Sequence, residues 1–219
     1  MIIPFELVLN HIIIKAKINE NNNVKLVLDT GLPVGGAILF KNEKFKNFNL
    51  NYIGKTYIEG AGGNPVLSDI AADTTINIGN LNLYHQQVII MPMNRNVLTS
   101  LDAYGIIGYE LFGKYLVQID FENNLIHLGN TLDEISRNAG QELSLKLKQN
   151  YPFIRCNSEI TMGNEVHLEL VIDTGAGHAL SLDMTSIDKF SLPEKVLESR
   201  IGTGAIGDIV GNMNAVQTF

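Results

Sequence analysis

Two stretches decide the reading of this chain: "LVLDTG" at residues 26–31 and "LVIDTG" at residues 170–175. Each is an aliphatic run closed by Asp-Thr-Gly, and the two aspartates, Asp29 and Asp173, stand 144 positions apart. Short apolar, β-branched runs bounded by turn residues read as buried strands. A single strand ending in Asp-Thr-Gly is a common turn. Two copies in matched surroundings ask for a shared cause.

The surroundings do match. "IIIKAKINENNNVKLVLDTGLPVGGAILF" (12–40) lines up with "FIRCNSEITMGNEVHLELVIDTGAGHALSL" (153–182). Each has a strand, a polar turn, a strand ending in Asp-Thr-Gly, small residues and an apolar run. A glycine-rich segment follows each: "EGAGGNPVLSD" (59–69) and "GTGAIGDIVGN" (202–212). Internal repetition implies two copies of one structural unit. The expected organisation is an N-terminal lobe over residues 1–135 and a C-terminal lobe over 141–219, with the polar stretch "TLDEISRNAGQE" (131–142) as linker. The second lobe reads as truncated. It has no counterpart of "GIIG" (105–108), and 46 residues follow Asp173 where 79 separate Asp29 from Gly108.

Composition fits a folded, mostly β protein. Of 219 residues, 45% are hydrophobic and 18% charged, which supports a sizeable core. Twenty glycines supply turns. Hairpins are expected over 11–30, over 72–91 around Gly79-Asn80, and over 115–129 around Glu122-Asn123-Asn124. Short helical signals fall at 41–48, 109–113, 184–190 and 192–199, the last with Pro193 at its start. The net charge of −7, without a basic cluster, argues against nucleic acid as a partner. Cys156 is the only cysteine, so no intrachain disulfide or cysteine-based zinc site is expected. No apolar run is long enough for a membrane span. The start "MIIPFELVLN" lacks a basic segment and carries Glu6, so it does not read as a signal peptide.

The repeat has a chemical meaning. A lone carboxylate at a buried strand end is costly. Two such ends brought together cannot both stay ionised and share one proton. One group is then a base and the other an acid at the same place.

On Asp29-Thr30-Gly31, Asp173-Thr174-Gly175 and Gly105-Ile106-Ile107-Gly108 the sequence resembles the pepsin-like and retropepsin-like aspartic proteases. It is more similar to the bacterial single-chain members than to the digestive enzymes. The resemblance implies an acid-protease fold of two pseudo-symmetric lobes, each a small barrel or sandwich, with a cleft between them. It implies that Asp29 and Asp173 form the catalytic dyad. Thr30 and Thr174 would hydrogen-bond across the junction through their hydroxyls. Gly31 and Gly175 would permit close backbone approach. The hairpin "TYIEGAGGN" (56–64) would be a flap, with Gly60, Gly62 and Gly63 supplying flexibility and Tyr57 as its aromatic. The implied activity is hydrolysis of a peptide or protein substrate by a water held between the aspartates, with no cofactor and no metal. A dimer is allowed but not required, since one chain carries both motifs. The resemblance favours a periplasmic or exported protein with its leader removed.

Departures from the family pattern support an alternative, a catalytically inactive protease-like module that binds peptides. Leu32-Pro33 stands where the family has a small residue and then a hydroxyl, and Gly177 stands at a second hydroxyl position. Other motifs carry less. "GTGAIG" (202–207) matches a dinucleotide-binding pattern but lacks the strand before and the helix after, so a second flap-like hairpin is the better account. A phosphatase Asp-x-Asp fails because Gly31 and Gly175 occupy the second acidic position. His11, His85, His127, His167 and His178 show no metal-ligand spacing, and His178 and Asp102 read as loop residues. Cys156 reads as a core residue, and "VIIMPMNR" (88–95) as a buried strand end.

Overall fold

The computed structural model describes residues 1–19, 22–60, 62–92, 98–135, 140–161, 164–182, 197–204 and 206–213. The chain opens with β1 (Ile2–Val8), β2 (His11–Ile18), β3 (Asn22–Leu28) and β4 (Ala37–Phe40). A 3-10 turn at Glu43–Asn47 leads to β5 (Asn51–Ile58), β6 (Val66–Ile78) and β7 (Leu81–Met91). The one-turn helix α1 (Leu98–Leu101), β8 (Gly105–Ile107), the one-turn helix α2 (Tyr109–Phe112), β9 (Leu116–Asp120) and β10 (Leu125–Gly129) follow, then a 3-10 turn at Leu132–Glu134. The remaining strands are β11 (Leu145–Lys148), β12 (Tyr151–Thr161), β13 (Asn164–Val171), β14 (Leu197–Thr203) and β15 (Asp208–Met213).

Six strands close into a mixed barrel in the order β6-β7-β4-β8-β3-β2, with β2 pairing back onto β6 through Lys17↔Asn77 and Ile18↔Ile76. The β3–β8 and β4–β7 pairs are parallel and the others antiparallel. β5 extends the sheet beyond β6, and β1, β10 and β9 extend it beyond β2. Local chemistry sets the hairpins. Leu9 and Asn10 both take positive φ in the two-residue β1–β2 turn, and Gly79 does so between β6 and β7.

Alternation fills the interior. Ile12, Ile14, Ala16 and Ile18 of β2 and Leu26 and Leu28 of β3 point into the main core. Ile13 and Val27 point the other way into a second apolar cluster with Leu32, Ile38, Phe40, Leu101 and Ile106. Strands covered on both faces read as unbroken aliphatic runs, as in "III" (12–14) and "LVL" (26–28), whereas farther along β2 exposed Lys15 and Lys17 alternate with buried Ala16 and Ile18.

The C-terminal residues, where a truncated lobe is expected, close no barrel among the described residues. Among the described residues they make a three-stranded sheet, β11-β12-β13, and a two-stranded ribbon, β14-β15. So few strands cannot close, and their apolar side chains stay wet: Leu145, Leu147 and Leu197 are all exposed. Cys156 is half-buried rather than a core residue, although its cross-strand partner Leu168 is buried. The helical turn expected over 192–199 is overturned at 197–199, where pairing with β15 makes strand, and its other residues lie outside the described ones. The signal at 184–190 also lies outside them. Residues 41–48 and 109–113 yield the first 3-10 turn and α2.

Two substitutions separate the regions. Leu26→Ala, at a fully buried barrel position, is expected to cost about 2–5 kcal/mol in urea unfolding. Leu145→Ala, at an exposed position, should stay within about 0.5 kcal/mol.

Candidate active site

Asp29 follows β3 directly, and its position is fixed by β8. The parallel register sets Leu26 beside Gly105, Val27 beside Ile106 and Leu28 beside Ile107. The Asp29 N–H then donates to the Ile107 carbonyl at 2.9 Å. The two glycines of "GIIG" let this segment thread a narrow gap. A Cβ at Gly105 would lie 2.2 Å from the Ile38 carbonyl oxygen, and one at Gly108 would lie 2.0 Å from that of Asp29. The Tyr109 N–H donates to the Leu32 carbonyl at 3.1 Å, which pins the loop after Asp29.

Asp173 is brought to Asp29 by their neighbouring threonines. The Thr30 N–H donates to Thr174 Oγ1 at 3.1 Å, and the Thr174 N–H donates to Thr30 Oγ1 at 2.9 Å. The Thr30 hydroxyl donates to the Ile172 carbonyl at 2.5 Å, and the Thr174 hydroxyl to the Leu28 carbonyl at 2.8 Å. Each hydroxyl therefore accepts one bond and donates one, all across the junction. Buried polar groups need such complete pairing, and Thr30 is buried.

The glycines of the two motifs face the opposite carboxylates. A Cβ at Gly31 would lie 2.8 Å from Asp173 Oδ1, and one at Gly175 would lie 2.5 Å from Asp29 Oδ1. Each Asp-Thr-Gly turn also supports its own carboxylate. The Gly31 N–H donates to Asp29 Oδ1 at 2.7 Å and the Gly175 N–H to Asp173 Oδ1 at 2.8 Å. Leu32 has no hydroxyl to offer, but its backbone N–H favours the Asp29 carboxylate and its side chain is buried in the second apolar cluster. The Asp29 carboxyl is nonetheless pushed up to about 7. Burial is the largest cause, followed by the charge of Asp173 and a hydrogen bond shared with it. Asp29 is half-buried and Asp173 exposed. The pair can therefore hold a proton on the Asp29 side while Asp173 faces solvent.

The carboxylates sit at the base of a cleft of about 640 Å³, a size usual for ligand pockets. Val27, Ile38, Phe40 and Ile106 line its barrel side, and Ala176, Gly177, His178, Arg200 and Ile201 line its C-terminal side. Its roof is two hairpin tips that touch. A Cβ at Gly62, which has positive φ, would lie 2.0 Å from the Gly207 carbonyl oxygen, and one at Gly207 equally close to that of Gly62. Gly60 and Gly63 pack against the Ile206 side chain. Of the expected flap residues, Gly60 lines the cleft and Gly62 and Gly63 make the tip contact. Tyr57 points outward and is exposed. Strand alternation gives the inward position to Ile58, which lines the cleft in its place.

Other residues reach the site unannounced by any motif. The Asn150 side-chain amide donates to the Pro33 carbonyl at 2.9 Å, and that of Asn10 to the Gly177 carbonyl at 3.0 Å, so turns from each half brace the opposite loop. Asp102 lies elsewhere, paired with Lys25 at 3.3 Å. No group of three or more candidate metal ligands occurs among the described residues, and no helix there is long and apolar enough to cross a membrane. The chain matches no protein-family model and no curated protein.

Two measurements probe this geometry. In a double-mutant cycle, Thr30→Val and Thr174→Val should each cost about 1–3 kcal/mol. The double variant should cost less than their sum, because either change breaks the same lattice. Strict additivity would contradict the shared network. For Asp29, the folded state holds its proton between pH 3.8 and about 7 where the unfolded chain has released it, so stability falls as pH rises through that window. Asp29→Asn removes the slope. It should stabilise the protein by roughly 1–3 kcal/mol more at pH 8 than at pH 4. A stability difference independent of pH would count against the raised value.

Proposed function

We propose that the chain is an aspartic endopeptidase and that its architecture is an acid-protease fold of two pseudo-symmetric lobes, residues 1–135 and 141–219. The observation that carries the reading is the pair Asp29 and Asp173, held together by the reciprocal threonine bonds at the base of the cleft. The order of elements supports the lobes. β2 and β3 form a hairpin ending in Asp-Thr-Gly, with the β5–β6 hairpin after it; β12 and β13 do the same, with β14–β15 after them. In the proposed reaction an extended peptide lies across the cleft and pairs with the hairpin strands above it. Asp173, the exposed member, takes a proton from a water. The resulting oxygen attacks the scissile carbonyl carbon, and protonated Asp29 donates to the carbonyl oxygen. Collapse of the tetrahedral diol returns a proton to Asp29, while Asp173 delivers its proton to the amide nitrogen and the C–N bond breaks. No covalent enzyme intermediate forms.

A specific observation favours the second reading, a peptide-binding module without catalysis. β3, which carries Asp29, is gripped by both β2 and β8, whereas β13, which carries Asp173, pairs only with β12 among the described residues. Val171 and Ile172 beside Asp173 are exposed. A catalytic carboxylate needs positional support, and here one side has more of it.

Incubation with a mixed peptide library from pH 3 to 9, read by mass spectrometry, separates the two. The peptidase reading expects a bell-shaped profile. Its basic limb falls near pH 7 as the pair loses its shared proton. Asp29→Asn and Asp173→Asn should each lower turnover by roughly 10²–10⁴-fold. Peptide binding without cleavage by the unmodified chain supports the module. Cleavage that survives both substitutions would sink the dyad.

A further inference from the structure

The cleft is chemically lopsided. Its barrel side is an apolar wall of Val27, Ile38, Phe40 and Ile106. Its C-terminal side carries Arg200 on β14 and His178 on the loop after Asp173. Among the described lining residues Arg200 is the one side chain that is always cationic. The acidic ones are Glu59 and the two aspartates of the site.

Arg200 is oriented for use. Its Nε lies 3.4 Å from Asp208 Oδ1 on the facing strand of the same hairpin. A guanidinium is a planar fork of five donors, and a carboxylate at Nε fixes the plane while the fork extends past it. Its side chain is half-exposed, so a ligand carboxylate can approach without a large desolvation cost to the cation. The chain's overall charge of −7 repels anionic peptides at long range, so a local cation here gives selectivity within the cleft rather than steering toward it.

We propose that Arg200, with His178 lining the same cleft, selects peptides bearing an Asp or Glu side chain on the part that lies against the C-terminal wall. A side-chain carboxylate there gains charge-assisted bonds that an amide of the same shape cannot match. This inference rests on the cleft being the peptide site proposed above.

The test uses the full chain carrying Asp29→Asn, which keeps bound peptide intact. Fluorescence anisotropy measures its affinity for labelled octapeptides with a central Leu-Phe pair and Glu, Gln or Lys placed in turn at each of the two flanking positions on either side. At one side of the pair, Glu is expected to bind roughly tenfold tighter than Gln, with Lys weakest. Arg200→Gln should erase the Glu preference while leaving the Gln peptide's affinity unchanged, and Arg200→Lys should restore part of it. His178→Gln, which leaves the hairpin intact, should lower the preference less. Equal affinity for Glu and Gln peptides at every position overturns the selectivity, even if the unmodified chain cleaves both, in which case the peptidase reading stands. A Glu preference that Arg200→Gln removes supports the selectivity even if no peptide is cleaved, and then the peptidase reading alone fails. Absence of binding by every peptide overturns both.

Discussion

The architecture around the cleft depends on four hydrogen bonds between Thr30, Thr174, Ile172 and Leu28. They tie together strand ends that belong to different sheets, beside the bonds of Asn10 and Asn150 and the contact of the hairpin tips. Each threonine works because its hydroxyl is both donor and acceptor. Serine would keep that property but lose the stiffness of a β-branched side chain, and valine would keep the shape but lose the bonds. The lattice, the Asp29–Ile107 backbone bond and the loop braces from Asn10 and Asn150 together place the aspartates before the threonines and the glycines after them. The carboxylate proximity, with its electrostatic cost, is imposed by the neighbours.

That cost is unevenly supported. The barrel supplies Asp29 with a parallel strand on one side, an antiparallel strand on the other and a glycine-lined gap for the segment that holds it. Asp173 arrives at the end of a three-stranded sheet with little core of its own. The stable half thus positions the more buried carboxyl, and the thinner half presents the exposed one. In the proposed chemistry this division matches acid to the dry side and base to the wet side.

Much of this was legible in the sequence, for physical reasons. The hairpins expected over 11–30 and 72–91 could be read because turn residues and apolar runs are local signals, although β6 begins earlier, at Val66. The pairing of Thr30 with Thr174 was implied by the resemblance that the two Asp-Thr-Gly motifs carry. Barrel closure through Ile18 and Ile76 was not legible, since a long-range strand pair leaves no trace in either strand's own pattern. Tyr57 was assigned to the cleft when its neighbour Ile58 belongs there, the one-residue parity error that strands invite. The Pro-Glu-Lys start at 193–195 suggested helix, but at 197–199 cross-strand pairing prevails over local propensity. Arg200 carries no motif, and only the fold reveals that it borders the cleft.

Where the two tips touch, glycine meets glycine, backbone oxygen facing bare α-carbon, and the Ile206 side chain packs against Gly60 and Gly63. A catch made that way has almost no chemical identity. The glycine contact itself contributes no charge and no hydroxyl, although Glu59 lines the cleft close by in the sequence. The contact at the roof and the carboxylates beneath it thus rest on different residues, so a substitution in one need not alter the atoms of the other.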